Sequence, residues 1–330
     1  MSDRHRPAPP PDTALGSGAC CGILSIVRIE GLDIELARHL GDVPALDLSD
    51  IAATRALVSE PVPTPAADGV VVTDVVAEVG GHSVDVRVTK PSQTTGRPLP
   101  IVVEMHGGGF VLGSAASNDD TNRTMAAEIP CIVVAVDYRL SPEFSYPAAV
   151  VDCVSAVRWV ADSAERLGGD PGRIGVLGTS AGACLAACTT LRVRDEGGPA
   201  LAMQALIEPA LDDRADTPSM IDGADAVFWN SRNALLSWQH YLAGRTPDEY
   251  TTPSRRTDLS GLPPTYLTVN ELDPLRDQGL DYARRLLAAG VPVELHCWPG
   301  AFHGFKMFDT DLTRRTRAMD LVAIRRLMGS

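Results

Sequence analysis

The sequence predicts an α/β fold: a mostly parallel sheet of about eight strands, with helices on both faces and a helical cap. Three observations predict it. Apolar runs of strand length alternate with segments of helical periodicity, and a pair of strands with alternating side chains precedes the series. A serine flanked by glycines, Ser180, stands where one of those apolar runs gives way to a helix.

The elements follow in order. Met1 to Asp12 is polar and proline-rich, without the apolar stretch of a signal peptide. Apolar residues from Ile23 to Leu40 keep helical spacing, and Pro61-Val62-Pro63-Thr64-Pro65 then makes a stiff linker. Val84, Val86 and Val88 alternate with Asp85, Arg87 and Thr89, a half-buried strand that pairs antiparallel with Val70 to Val76. Beyond it, Ile101-Val102-Val103, Ile132 to Val136, Ile174 to Leu177, Ala202 to Ile207, Tyr266 to Val269 and Val291 to Leu295 read as buried parallel strands. Between them, Val150, Val154, Val157, Ala161 and Ala164 form one apolar helix face, and Leu280, Ala283, Leu286 and Leu287 form another. Asp212 to Thr257 break the rhythm with a polar loop and one aromatic-rich helix, Ala234 to Leu242, an insertion above the sheet. The chain thus divides into an N-terminal tail with cap helices (1–60), an α/β domain in two parts (61–211 and 258–330) and a cap insertion (212–257).

Composition narrows the partners. With 330 residues, 45% of them hydrophobic, the chain can bury a sizeable core. A net charge of −13 without clustered Lys and Arg argues against nucleic acid and against an anionic membrane surface. No segment approaches the ~18 apolar residues of a membrane span. Seven cysteines (Cys20, Cys21, Cys131, Cys153, Cys184, Cys188 and Cys297) form an odd set with neither C-x-x-C spacing nor a histidine cluster, which gives no zinc site. Cys131, Cys153, Cys184 and Cys188 sit among apolar residues as reduced thiols do, which points to cytoplasmic residence.

The chemistry centres on Gly178-Thr179-Ser180-Ala181-Gly182. A strand, a sharp turn and a helix expose a serine hydroxyl at the sheet edge, and the helix N-terminus favours the negative charge of a tetrahedral intermediate. Ser180 needs a base. His303, in the loop after the last predicted strand, is the candidate, for loops at the carboxyl ends of parallel strands collect functional groups. Asp273 follows another strand end and precedes Pro274, which restricts its backbone; it is the candidate to orient His303, with Glu271 and Asp277 as the alternatives. The order Ser180, Asp273, His303 fits a site of this type.

His106-Gly107-Gly108-Gly109-Phe110 lies directly after the strand Ile101 to Met105. Gly107, Gly108 and Gly109 let the backbone approach a substrate, and their N–H groups with that of Ala181 would form an oxyanion hole. A phosphate loop is a poor reading, because no Gly-Lys-Ser/Thr follows. His106 itself is read as ordering the loop. Phe110, Phe228, Trp229 and Phe302 are the candidate substrate contacts, ahead of Trp238, Tyr241 and Phe305, with Phe228 and Trp229 favoured because they lie in the insertion.

Together His106 to Gly109, Asp137-Tyr138-Arg139-Leu140-Ser141-Pro142-Glu143, Tyr146-Pro147-Ala148-Ala149, Gly178 to Gly182, Asp273 to Asp277 and His303-Gly304-Phe305 resemble the bacterial hormone-sensitive-lipase-like (family IV) esterases of the α/β-hydrolase fold. The likeness spans about Leu99 to Phe308. It implies a carboxylic-ester hydrolase with a cap, no cofactor and a preference for short acyl chains, and makes Asp137 to Glu143 and Pro147 scaffold residues. An acidic residue is common where this chain has Thr179, and the threonine resembles a sub-branch of the family.

The expected partner is a small-molecule ester of short to medium acyl chain, with a homodimer left open as the assembly. Lactone, thioester or amide hydrolysis by the same residues is the alternative chemistry, and a ligand-binding protein on this scaffold the alternative class. A neutral His303 is required as base, so activity should fall as pH drops through a histidine pKa, about 6.5 before its surroundings act on it.

Overall fold

A computed structural model of the chain describes residues 30–58, 69–93 and 96–329. The tail, Cys20, Cys21, the linker Pro61 to Pro65 and residues 23–29 of the first expected helix lie outside them. In its described part that segment holds only a short helix, α1 (Ile34–Ala37), and a 3-10 turn, Leu40–Asp42. Asp33 caps α1, its carboxylate accepting the N–H groups of Glu35 and Leu36. A second helix, α2 (Ile51–Val58), precedes the sheet.

Eight strands form one sheet: β1 (Val70–Val79), β2 (His82–Pro91), β3 (Leu99–Met105), β4 (Ile132–Val136), β5 (Gly169–Thr179), β6 (Met203–Ile207), β7 (Thr265–Asn270) and β8 (Val293–Trp298). Their order is β1-β2-β4-β3-β5-β6-β7-β8. The expected alternating pair is antiparallel, with Val75 opposite Val86, and β2 runs antiparallel to β4 as well. All the other pairings are parallel. The last strand begins later than its apolar run, since Pro292 lacks an N–H and only its carbonyl joins the ladder, accepting Thr265 N–H at 2.8 Å.

Alternation along the buried strands sends side chains to two cores. Ile101, Val103, Ile132, Val134, Ile174 and Val176 face one side, where α4 (Ala148–Leu167), α5 (Ala181–Asp195) and α8 (Arg276–Ala288) pack. Val102, Val133, Leu177, Ala205 and Tyr266 face the other, against α3 (Asp119–Glu128) and α9 (Asp311–Leu327). Ile101 is fully buried, and truncating it to alanine would cost about 2–5 kcal/mol. Between β6 and β7 stand α6 (Pro218–Asp222) and α7 (Ser231–Leu242), the helices of the 212–257 stretch. The N-terminal residues reach over to α7: Asn233 accepts Leu48 N–H at 3.1 Å and donates to the Leu46 carbonyl at 2.9 Å.

Candidate active site

Ser180 occupies the single residue between β5 and α5, at φ 57° and ψ −118°. Few L-residues adopt that backbone, and its neighbours over-determine it. A β-carbon on Gly178 would collide with the Gly182 carbonyl, and one on Gly182 with the Met105 carbonyl. Ser180 N–H donates to Ile207 at 2.9 Å, while its own carbonyl accepts Ala183 and Ala210 N–H. The hydroxyl thus stands at the head of α5.

His303 comes to it from the loop after β8. Its Nε2 lies 2.9 Å from Ser180 Oγ and its Nδ1 2.7 Å from Asp273 Oδ2. With a neutral ring, Nδ1–H donates to the carboxylate and Nε2 accepts the serine hydroxyl. Asp273 Oδ1 accepts Leu275 N–H at 2.8 Å in the turn that Pro274 opens, so the carboxylate is held at both oxygens. The two alternative acids are engaged elsewhere: Glu271 accepts Gly300 N–H at 2.8 Å, and Asp277 binds Arg276 and Ser219 N–H. Ser180, Asp273 and His303 are only 6%, 3% and 4% exposed, so little bulk water reaches the His303–Asp273 hydrogen bond or the hydroxyl.

A second carboxylate joins them. Glu208, buried at the end of β6, accepts the Asn270 amide at 2.6 Å and Gly304 N–H at 3.0 Å. Burial disfavours an imidazolium at His303, but Asp273 and Glu208 outweigh it and raise the pKa to about 9. No motif marks Glu208 in the sequence; its one signal is its position, directly after a buried apolar run and before Pro209.

The glycine turn abuts the serine. A β-carbon on Gly107 would lie 3.2 Å from the Thr179 carbonyl and 3.5 Å from Ser180 Cβ. Gly108 and Gly109 have φ of 121° and 59°, open to glycine alone without strain. None of the N–H groups of Gly107, Gly108 and Gly109 donates to another described residue. His106 is fully buried and stacks on Tyr138 at 4.1 Å, and its Nδ1 meets the Gly107 carbonyl at 2.7 Å. Burial pushes its pKa down to about 4, so the ring is neutral and orders the loop.

Of the candidate contacts, two from the insertion flank the site. Trp229 stands 5.8 Å, ring to ring, from His303, with its benzo edge against Gly109. Phe228 packs on Gly304. The other two rings turn into cores: Phe110 stacks on Tyr241 at 4.1 Å, and Phe302 is fully buried with Leu36, Trp298 and Phe305. Four non-glycine residues with positive φ, Phe110, Ser180, Glu208 and Phe228, gather around this one site. Strain concentrates where the geometry has to be held.

Glu208, Asp273 and His303 also bring ligand atoms within 4.8 Å of one another, as a metal site would require. Their atoms are already engaged within the protein, however, by Asn270, Gly304, Leu275 and Ser180. Two clefts elsewhere, of about 640 and 360 Å³, include no residue of the constellation.

The family model for the alpha/beta hydrolase fold matches residues 102–307, from β3 through the His303 loop. The chain belongs to the α/β-hydrolase family. Within it, this enzyme is a carboxylesterase of the hormone-sensitive-lipase-like group. Esterase LipI of Mycobacterium tuberculosis is 41% identical to it over 232 residues, 68% of this chain and 72% of LipI. Carboxylesterase NlhH of the same organism is 43% identical over 217 residues, 64% of this chain and 67% of NlhH. Among solved structures, a bacterial heroin esterase superposes with a TM-score of 0.88 at 43% identity, covering 92% of this esterase and 99% of that chain.

Proposed function

We propose that the enzyme hydrolyses short- to medium-chain carboxylic esters through an acyl intermediate on Ser180. The observation that carries this reading is the single imidazole bridging a hydroxyl at 2.9 Å and a buried carboxylate at 2.7 Å. His303 takes the Ser180 proton as Oγ attacks the ester carbonyl carbon, and the carbonyl electron pair moves onto oxygen. Two N–H groups of the Gly107, Gly108 and Gly109 turn, with that of Ala181, receive that oxyanion, each donor supplying roughly 3 kcal/mol of transition-state stabilisation. As the intermediate collapses, the C–O bond to the alcohol breaks and His303 protonates the leaving oxygen. His303 next deprotonates a water, which attacks the acyl carbon, and the acid leaves with Ser180 restored. Asp273 holds the ring in orientation and stabilises the imidazolium.

Residues 212–257 and the N-terminal helices act as a cap in this reading, with Trp229 and Phe228 limiting acyl size beside the glycine turn and the His303 loop. A cytoplasmic location is supported by the free, buried thiols of Cys131, Cys153, Cys184 and Cys188. No helix among the described residues is long and apolar enough to cross a membrane.

Two measurements test the proposal. A fluorophosphonate should label Ser180, and p-nitrophenyl esters should be cleaved with a kcat/KM that peaks at short to medium acyl length, above that for matched anilides. An unlabelled Ser180 would favour a binding protein, and faster anilide cleavage would favour an amidase.

A further inference from the structure

Arg55 lies on α2, far in sequence from the site, yet its guanidinium grips the back of the glycine turn. Nε donates to the Val111 carbonyl and Nη2 to the Ser141 carbonyl, both at 2.9 Å. The same fork binds both carboxylate oxygens of Glu143, at 2.7 and 2.9 Å.

Those two carbonyls belong to one staple. Val111 and Leu112 N–H close the turn onto the Gly108 carbonyl at 3.1 and 2.9 Å, and Ser141 N–H donates to the Phe110 carbonyl at 2.9 Å. Arg55 bridges both sides of it. The need for such a grip follows from the turn itself. Gly107, Gly108 and Gly109 carry no side chains to pack, and their N–H groups donate to no other described residue, so the Gly108 and Gly109 N–H groups point where their shared peptide planes are held by the Gly107 and Gly108 carbonyls. The partners of those carbonyls lie on either side of the triplet. His106 holds one end through the Gly107 carbonyl, and Arg55 holds the other.

The segment that carries Arg55 is itself anchored near the other catalytic elements. Asp33 N–H donates to the Gly300 carbonyl at 3.0 Å in the His303 loop, and Leu46 and Leu48 bind Asn233 on α7.

We propose that Arg55 is a positioning residue: it fixes the Val111 and Ser141 carbonyls and so orients the N–H groups of the glycine turn toward the oxyanion. The proposal rests on the oxyanion reading of that turn. A hydrophobic replacement would leave the turn its own hydrogen bonds but free its far end to rock. Donors misaligned in this way weaken binding of the transition state more than that of the ground state.

The test compares the full chain with Arg55→Met and Arg55→Lys. Three quantities are measured: kcat and KM on p-nitrophenyl acetate, inhibition by a trifluoromethyl ketone, which adds to Ser180 as a tetrahedral oxyanion, and inhibition by the matching alcohol. In Arg55→Met, kcat should fall ~10- to 100-fold with KM within about twofold. Affinity for the ketone should fall in proportion while affinity for the alcohol holds, and Arg55→Lys should recover part of the loss. A Met variant that keeps wild-type kcat and ketone affinity, or loses both affinities alike, overturns the role of Arg55. Should that variant not fold, Arg55→Lys is judged on the same two affinities. A wild type with no preference for ketone over alcohol instead overturns the oxyanion reading, and the role of Arg55 with it.

Discussion

Glu208 places a carboxylate oxygen within 4.8 Å of a ring nitrogen of His303, so the imidazole faces two buried acids. Burial opposes the imidazolium, but these carboxylates prevail and hold the pKa at about 9 instead of the ordinary 6.5. In the proposed mechanism His303 acts as a neutral base, so a raised pKa moves the acid limb of kcat/KM to higher pH. The limb should lie well above pH 6.5 in the wild type, and Glu208→Gln should lower it by about one pH unit. A wild-type limb at or below 6.5, or one that Glu208→Gln leaves in place, contradicts this account.

The same pair makes a statement about stability. An imidazolium favoured in the folded state stabilises fully below the unfolded pKa of about 6.5, and the contribution fades as pH rises through 9. Urea unfolding should therefore show the wild type losing stability between pH 6.5 and 9 relative to His303→Gln. Parallel curves for the two proteins would sink the idea.

Glu104 offers a second pH window. Fully within the core on β3, it accepts the Asn118 amide at 2.7 Å, and burial raises its pKa to about 7 against the help of Asn118 and Asn122. The folded protein holds this proton more tightly than the unfolded chain, so stability should decline as pH rises from 4.5 to 7. Glu104→Gln should flatten that decline, gaining a few kcal/mol over the wild type at pH 8 relative to pH 5. Equal differences at both pH values would rule it out.

Ser180→Ala and His303→Ala should each lower kcat by roughly 10⁶, and the double variant should lose little more, as expected when residues act as one unit. Asp273→Asn keeps the shape but not the charge and should cost less, on the order of 10⁴. Additive losses in the double variant would mean that the two residues serve separate steps.

Gly109 and Trp229 are in close contact. An added β-carbon on Gly109 would meet Trp229 Cη2 at 2.6 Å, at a backbone φ of 59° that alanine adopts only with strain. Gly109→Ala should destabilise the protein by about 1–3 kcal/mol and reduce kcat/KM. Adding Trp229→Leu should return part of both losses, which a double-mutant cycle would measure. A cycle with no coupling would deny the contact.

What was legible in the sequence was local in it. Ser180, Asp273 and His303 each follow an apolar strand, and a short motif marks each place, so their meeting could be read from strand ends alone. Phe302 was harder to place, because sharing a loop with His303 does not say which of the two side chains turns inward. Helices α3 and α9 leave little mark in the sequence. Each buries only a few apolar side chains among many charged ones, such as Met125 and Ala126 on α3 and Leu312 and Ile324 on α9. Glu208 and Arg55 were silent for another reason. Their roles come from partners 62 to 96 and 56 to 88 residues away, which no short motif can record.

The crowding around the Ser180 elbow divides the molecule into a part that evolution cannot alter and a part that it can. Gly178 and Gly182 leave no room for even a methyl group, so new substrates cannot be accommodated by reshaping the turn that carries Ser180. Variation must enter through chain segments outside that turn, such as the one that carries Trp229 and Phe228 beside Gly109 and Gly304. A library built to change acyl or alcohol preference should therefore be drawn from residues 30–58 and 212–257, with Arg55 kept.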